Sequence, residues 1–258
     1  MNFYKKNKYH ILILVPNLIL LVYFLVSYTL DYSLVYSAIG YLVFGVIGNM
    51  IGFHRLFTHV SFTPKKGVAS LLLYLGSLSG QGSSIFWSSL HSHHHKNADT
   101  YKDLHTPSRG YFNAFIGWQF FCKKELAELL PRKNLVASTL HRNFHRHYYL
   151  IYWASFFVVA LSFGLDVAVA LITIGGYFIT SLTDNLGNLF LHSNVGYRNY
   201  DLSDNSRNNH FISLLTLGSG YHNNHHAFPS KSTFKAKDNE IDLCGILIDK
   251  VLKKYEKL

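Results

Sequence analysis

The sequence predicts an all-α integral membrane protein: four transmembrane helices in two hairpins, with a cytoplasmic helical cap holding a histidine-rich di-metal site. Three observations carry this. Residues 11–52 contain no Lys or Arg and one acid, Asp31; residues 149–191 again contain no Lys or Arg, with Asp166 and Asp184 as the acids. All 24 Lys and Arg lie elsewhere: three before residue 11, twelve in 54–148 and nine after 191. The 16 histidines also avoid the apolar centres and gather in short, repeated patterns.

About 20 apolar residues cross a bilayer as a helix. Each cation-free stretch is therefore long enough for two spans and a tight turn. Spans are expected at 11–30, 33–53, 149–164 and 167–191, with "LDYS" (30–33) and "GLD" (164–166) as the turns. A hydrophobic core helix of a soluble protein is the alternative, but two such paired runs are hard to bury otherwise. Cationic residues accumulate on the cytoplasmic side of membrane proteins. That rule places both termini and the cap, 54–148 and 192–258, in the cytoplasm, as one domain over 1–258.

The net charge of +10 suits anionic headgroups and acidic partners. No nucleic-acid recognition motif accompanies it. Cys122 and Cys244 are isolated, and in a reducing compartment neither is expected in a disulfide. The first apolar run is too long for the core of a cleavable signal and no small-residue cleavage site follows it.

The histidines form a constellation. "HRLFTH" places His54 and His59 at the end of the second span; "HSHHH" contains His91, His94 and His95 as HxxHH; "YHNNHH" repeats that pattern with His222, His225 and His226. Asn188 and His192 add NxxxH at the end of the fourth span. Positions i, i+3 and i+4 share a helical face, so each HxxHH is expected to aim three imidazoles at one place. His54 and His59 are five apart, roughly 140° around an α-helix, and are expected to flank a site. His93 points off the face. Nine imidazoles exceed the four or so ligands of one zinc and suit two metals; imidazole accepts iron, copper, nickel and zinc alike.

These boxes resemble those of the membrane-bound fatty acid desaturases, the acyl-CoA (Δ9) type most closely. "GFHRLFTH", "LGSLSGQGSSIFW", "KDLHTPSRGYFNAFIGW", "NSRNN…LLTLGSGYHNNHHAFP" and "EID" all match, so the similarity runs from about residue 48 to 242. The resemblance implies a four-span fold and a non-haem di-iron centre ligated by His54, His59, His91, His94, His95, His192, His222, His225 and His226. It implies that Asn188 lies near one metal, often through water. The implied reaction uses dioxygen, two outside electrons and two protons to turn a saturated acyl chain into a cis-alkene and two waters. Two positions depart from the family: "GSG" puts Ser219 where an acid is common, and His210 stands where tryptophan is common.

Asp184, Asn188 and His192 lie on one helical stripe, and an acid in a span usually faces a polar interior. Asp184 is expected to partner a histidine or an ordered water, or to lie on a substrate tunnel. Trp87, four residues before His91, and Trp118 are candidates to line that tunnel. Lys96, Lys102 and Arg109 are placed to meet the phosphates of coenzyme A, an acyl-carrier protein or a phospholipid. The chain carries no CxxCH and no ferredoxin-like cysteine run, so electrons are expected from a separate acidic carrier, ferredoxin or b-type cytochrome like. Rival readings are a membrane di-iron hydroxylase or ketolase of a lipid or hydrocarbon, and a histidine-rich metal transporter. The C-terminal segment is expected to form an amphipathic helix with Cys244, Leu247, Val251 and Tyr255 on one stripe.

Overall fold

The computed structural model describes residues 8–27 and 30–254, without the side chains of residues 30 and 31. Among the described residues there are helices and isolated β-bridges but no strand. The helices used below are α1 (His10–Ser27), α2 (Tyr32–Thr58), α3 (Val68–Ser77), α4 (Ser84–Asn97), α5 (Thr139–Arg146), α6 (Tyr148–Phe163), α7 (Leu165–Phe190), α8 (His210–Leu215), α9 (His222–Ala227) and α10 (Leu243–Leu247).

Three of these, α1, α2 and α7, are long and apolar enough to cross a membrane. The expected third span, 149–164, is the 16-residue α6, shorter than the roughly 20 residues a perpendicular crossing needs. The "GLD" break is sharper than expected: Gly164, at φ 97°, separates α6 from α7 by itself. The "LDYS" turn does not form at 30–33, because Leu30 already opens helical backbone that runs on into α2; residues 28 and 29 lie outside the described residues. α2 also continues past Gly52 to Thr58, so His54 stands on the helix itself.

The chain divides into two compact units. The first comprises the described residues of Met1–Phe53, Leu71–Ser88 and Pro131–Ser181. Within it, α2 and α7 cross at glycines: a Cβ on Gly40 would overlap the Leu171 carbonyl, and one on Gly175 the Ser37 carbonyl. Such close approach suits helices in lipid, where packing rather than water exclusion holds helices together. Polar side chains pin α6: Tyr152 donates to Asn17 Oδ1 (3.0 Å) and Trp153 Nε1 to the Leu12 carbonyl (2.7 Å). Ile19, Val22, Leu25 and Val26 of α1, and Leu150, Phe157, Val158 and Leu161 of α6, stay exposed. Such apolar faces suit a hydrocarbon solvent.

The second unit comprises His54–Ser70, Ser89–Leu130 and the described residues of Leu182–Leu258. It holds all nine histidines of the sequence constellation. The C-terminal segment folds onto the loop after α2: Lys65 N–H donates to the Leu252 carbonyl (2.9 Å) and Lys254 N–H to the Thr63 carbonyl (2.8 Å). Its helix starts at α10, where the Asp242 side chain caps the Gly245 N–H at 2.9 Å. The second part, Ile248–Leu252, bonds i→i+5, which rotates the buried stripe. Cys244 and Ile248 are buried while Val251 is half exposed; Tyr255 lies outside the described residues. Cys122 and Cys244 are both buried and unbridged.

Asn17 and Tyr152 are fully buried partners. Replacing Tyr152 with Phe leaves a buried amide oxygen unpaired, a loss of roughly 1–3 kcal/mol. Denaturant unfolding in detergent is expected to show that loss for Tyr152→Phe, and to show most of it restored in Asn17→Leu/Tyr152→Phe.

Candidate metal centre

The nine histidines converge, in two groups. His54, His59, His91, His95 and His225 form one; His94, His192, His222 and His226 form the other, and the ligand nitrogens within each lie within 4.8 Å of one another. In the first, His95 Nε2 lies 3.0 Å from His91 Nε2 and 2.9 Å from His225 Nε2, which is itself 2.9 Å from His54 Nε2. In the second, His192 Nε2 lies 3.0 Å from His222 Nε2. The groups adjoin: the His95 and His226 rings stack with centroids 4.3 Å apart.

This partition differs from the expectation that each HxxHH aims all three rings at one place. On α4, His91 and His95 enter the five-histidine group and His94 the other. On α9 the roles are exchanged: His222 and His226 enter the four-histidine group and His225 the five-histidine group. Positions i and i+4 nearly superpose along a helix, whereas i+3 and i+4 diverge by about 100° at 3.6 residues per turn. Each helix therefore gives a pair to one group and a single ring to its neighbour. His54 and His59 also defy the α-helical reading. Backbone bonding from Tyr41 to Thr58 is i→i+5, and His59 N–H reaches the His54 carbonyl at 3.2 Å. In this wider turn five residues return to nearly the same side, so both rings enter one group with centroids 5.0 Å apart.

Carboxylates orient the four-histidine group. Asp103 accepts from His94 Nδ1 (2.9 Å), Asp99 from His192 Nδ1 (2.8 Å) and Asp204 from His226 Nδ1 (3.0 Å). A proton held at Nδ1 leaves the Nε2 lone pair free to ligate. His226 shows the result: its Nε2 is buried with no hydrogen-bond partner. Burial opposes charge on His94, but the Asp103 carboxylate, by charge and hydrogen bond, outweighs it and raises the pKa. Burial would raise Asp103, yet His94 and His105 hold it well below the usual carboxylate range. Burial first, and neighbouring imidazoles second, push His91, His95, His222, His225 and His226 well below the ordinary histidine value. Convergent nitrogen donors, several of them held uncharged by burial, are what a bound cation would satisfy. The donor set fits two transition-metal ions, and donor type alone does not choose among iron, copper, nickel and zinc.

The six-residue α9 is too short to be stable alone, and its asparagines brace it. Asn223 Oδ1 accepts from the Asn199 and Tyr200 N–H groups, both at 2.9 Å. Asn224 Nδ2 donates to the Phe234 carbonyl (2.8 Å) and to Glu240 (2.9 Å), while Asn208 Nδ2 donates to its Oδ1 at 2.8 Å. "NN" in "YHNNHH" thus faces away from the imidazoles and anchors the helix that carries them.

Other sequence candidates fall around this centre. His93 turns away, its Nε2 2.9 Å from the Lys102 carbonyl. Asn188 and Asp184 lie half-buried on α7, and the carboxylate that holds His192 is Asp99. Trp118 is buried, edge-on to His105 at 5.8 Å; the His105 ring lies tilted against His94 at 4.7 Å, and burial pulls its pKa down to about 4. Trp87, in the first unit, packs 6.4 Å from Phe53. Lys96 and Lys102 are exposed, whereas Arg109 is tied to Glu125 at 3.3 Å and lies over Tyr101. His210 is exposed, 3.3 Å from the Tyr221 hydroxyl, and Ser219 is buried. Asp99, Asp103 and Asp204 were not expected from the sequence. For the first two a signal existed: acids four and eight residues after His95, in the loop leaving the second box.

A helical chain with three apolar helices of membrane length and nine histidines converging in two adjoining groups is compatible with a metal site. Residues 33–238 match the family model for fatty acid desaturase, and the chain belongs to that family. It is 33% identical over 194 residues to an acyl-CoA 5-desaturase of Anemone leveillei, covering 73% of this chain and 59% of the relative. It is 31% identical over 213 residues to an sn-1 stearoyl-lipid 9-desaturase of Anabaena variabilis, covering 81% and 76%. It is 30% identical over 210 residues to an sn-2 palmitoyl-lipid 9-desaturase of Nostoc sp. (strain 36), covering 75% and 71%. The match spans about three fifths of the acyl-CoA relative's length.

Two outcomes follow from the centre. Asp204→Asn weakens the fix on His226, and metal affinity is expected to fall roughly 10–100-fold in a chelator competition. In the metal-free protein, the five depressed histidines bind protons near pH 6.5 only when unfolded. Their contribution to stability is thus present above that pH and lost as pH falls; the raised His94 opposes this but is outnumbered. Unfolding midpoints of metal-free protein should drop as pH goes from 7.5 to 5.5.

Proposed function

We propose that the chain is a fatty acyl desaturase, an oxidoreductase that introduces a cis double bond into a saturated acyl chain with dioxygen and two external electrons. The observation that carries this is the pair of adjoining histidine groups in a chain of the desaturase family. The nine histidines are the ligands, five in one group and four in the other, of a non-haem di-iron centre. That centre, when loaded, supplies a dioxygen-derived oxidant strong enough to remove two hydrogens from unactivated methylenes. The protein's own contribution is orientation. Asp99, Asp103 and Asp204 hold protons at Nδ1 of three ligands, so that their Nε2 atoms face inward; burial disfavours charge on His91, His95, His222 and His225 and excludes water from the reacting carbons.

The substrate is a saturated fatty acyl chain. The names of the relatives include both acyl-CoA and acyl-lipid substrates, and the exposed Lys96 and Lys102 suit a phosphate-bearing head group of either kind; coenzyme A is the preferred carrier. Trp118, edge-on to His105, lines the apolar path of the chain, and Asn188 and Asp184 orient a ligand or an ordered water. Cation placement supports four spans, α6 included, with both termini and the metal centre on the cytoplasmic side of one membrane domain. The basic residues of that side steer a separate acidic electron carrier, ferredoxin or b-type cytochrome like.

Expression in a desaturase-deficient host, with fatty acids profiled by mass spectrometry, tests the reading. Wild-type chain is expected to yield new monounsaturated acyl chains, and His94→Ala none. Alcohols or ketones in their place would identify a hydroxylase or ketolase, and metal flux in vesicles without acyl oxidation a transporter.

A further inference from the structure

We propose that Asp242, acting through Arg55 and Phe234, is a positioning residue for the five-histidine group and governs retention of one metal of the two. The inference rests on the two-metal reading above and concerns how that centre is held.

Arg55 directly follows His54, and its side chain and that of Asp242 are completely buried. The guanidinium donates in a fork, Nη1 to Oδ2 at 2.8 Å and Nη2 to Oδ1 at 3.0 Å, and Nη1 also reaches the Ser232 carbonyl at 2.6 Å. Asp242 accepts further bonds from the Phe234 and Gly245 N–H groups at 2.6 and 2.9 Å. The backbone leaves room for this: at Gly218, with φ 125°, a Cβ would collide with the Asp242 carboxylate. The Arg55 guanidinium lies 3.8 Å over the Phe234 ring. Phe234 in turn packs 4.4 Å from the His225 ring and 5.7 Å from the His54 ring.

Two of the five donors, His54 and His225, are thus fixed by one buried carboxylate. A buried ion pair adds little to stability that a well-packed apolar pair would not supply. What a bidentate fork adds is direction. The four-histidine group is oriented by Asp99, Asp103 and Asp204 instead. Loss of the Arg55–Asp242 fork therefore loosens one group and spares the other.

The test uses full-length chain loaded anaerobically with ferrous iron, with iron per chain read by mass spectrometry and release timed with a ferrous chelator. Arg55→Met/Asp242→Leu removes both charges, leaving no unpaired ion to unfold the protein. This variant, with helicity checked by circular dichroism, is expected to hold one iron where wild type holds two, and to release it at the rate of the slower wild-type iron. Phe234→Leu keeps the ion pair and is expected to speed release of one iron about tenfold, within the range for lost support of a ligand. Two irons retained with wild-type release in these variants, or both irons lost together, would overturn the proposal. Wild-type chain that takes up fewer than two irons would overturn the two-metal reading itself, and the proposal with it.

Discussion

The histidine site of the second unit depends on keeping imidazole lone pairs face to face in a space with little water. Nitrogen atoms of neighbouring rings approach to about 3 Å in both groups, a separation that protonated rings would not tolerate in a buried space. Two devices maintain it. Around the four-histidine group, carboxylates occupy the outer nitrogen and dictate the tautomer. Around the five-histidine group, burial and neighbouring imidazoles disfavour charge on His91, His95 and His225, and His54 and His225 pack against Phe234 with the fork behind it.

The surrounding architecture serves those devices. A long apolar helix presents His54 and His59 because its backbone widens before it ends. Two helices that could not persist alone in water, α9 and α10, are secured by polar side chains: α9 by its own asparagines and their partners, α10 by the carboxylate of its N-cap Asp242. Glu240 and Asp242, two residues apart in extended backbone, lie on either side of the exposed Ile241; one secures the third histidine box and the other the first.

Much of this was legible in the residues alone. The apolar runs fell within a few residues of α1, α2, α6 and α7, since hydropathy over 20 residues is a strong signal. The nine histidines were all found, because repeated spacing of one residue type is hard to produce by chance. Their division was not, for two reasons. An i→i+5 turn has no signature in the spacing of His54 and His59, and HxxHH viewed on one helix looks like a single face until a second helix supplies a partner on each side. The supporting carboxylates were missed because their contacts are tertiary: Asp204 meets His226 across 22 residues and Asp99 meets His192 across 93. The shortness of α6 followed from Gly164, whose positive φ ends the helix at one residue.

The exchanged roles on α4 and α9 have a mechanical consequence. Because each of these helices donates to both groups, neither group can be displaced along or about such a helix without dragging members of the other. The spacing of the two groups is inherited in part from the pitch of two short helices, a quantity set by backbone chemistry. Two helices that each serve both groups tie them into one frame.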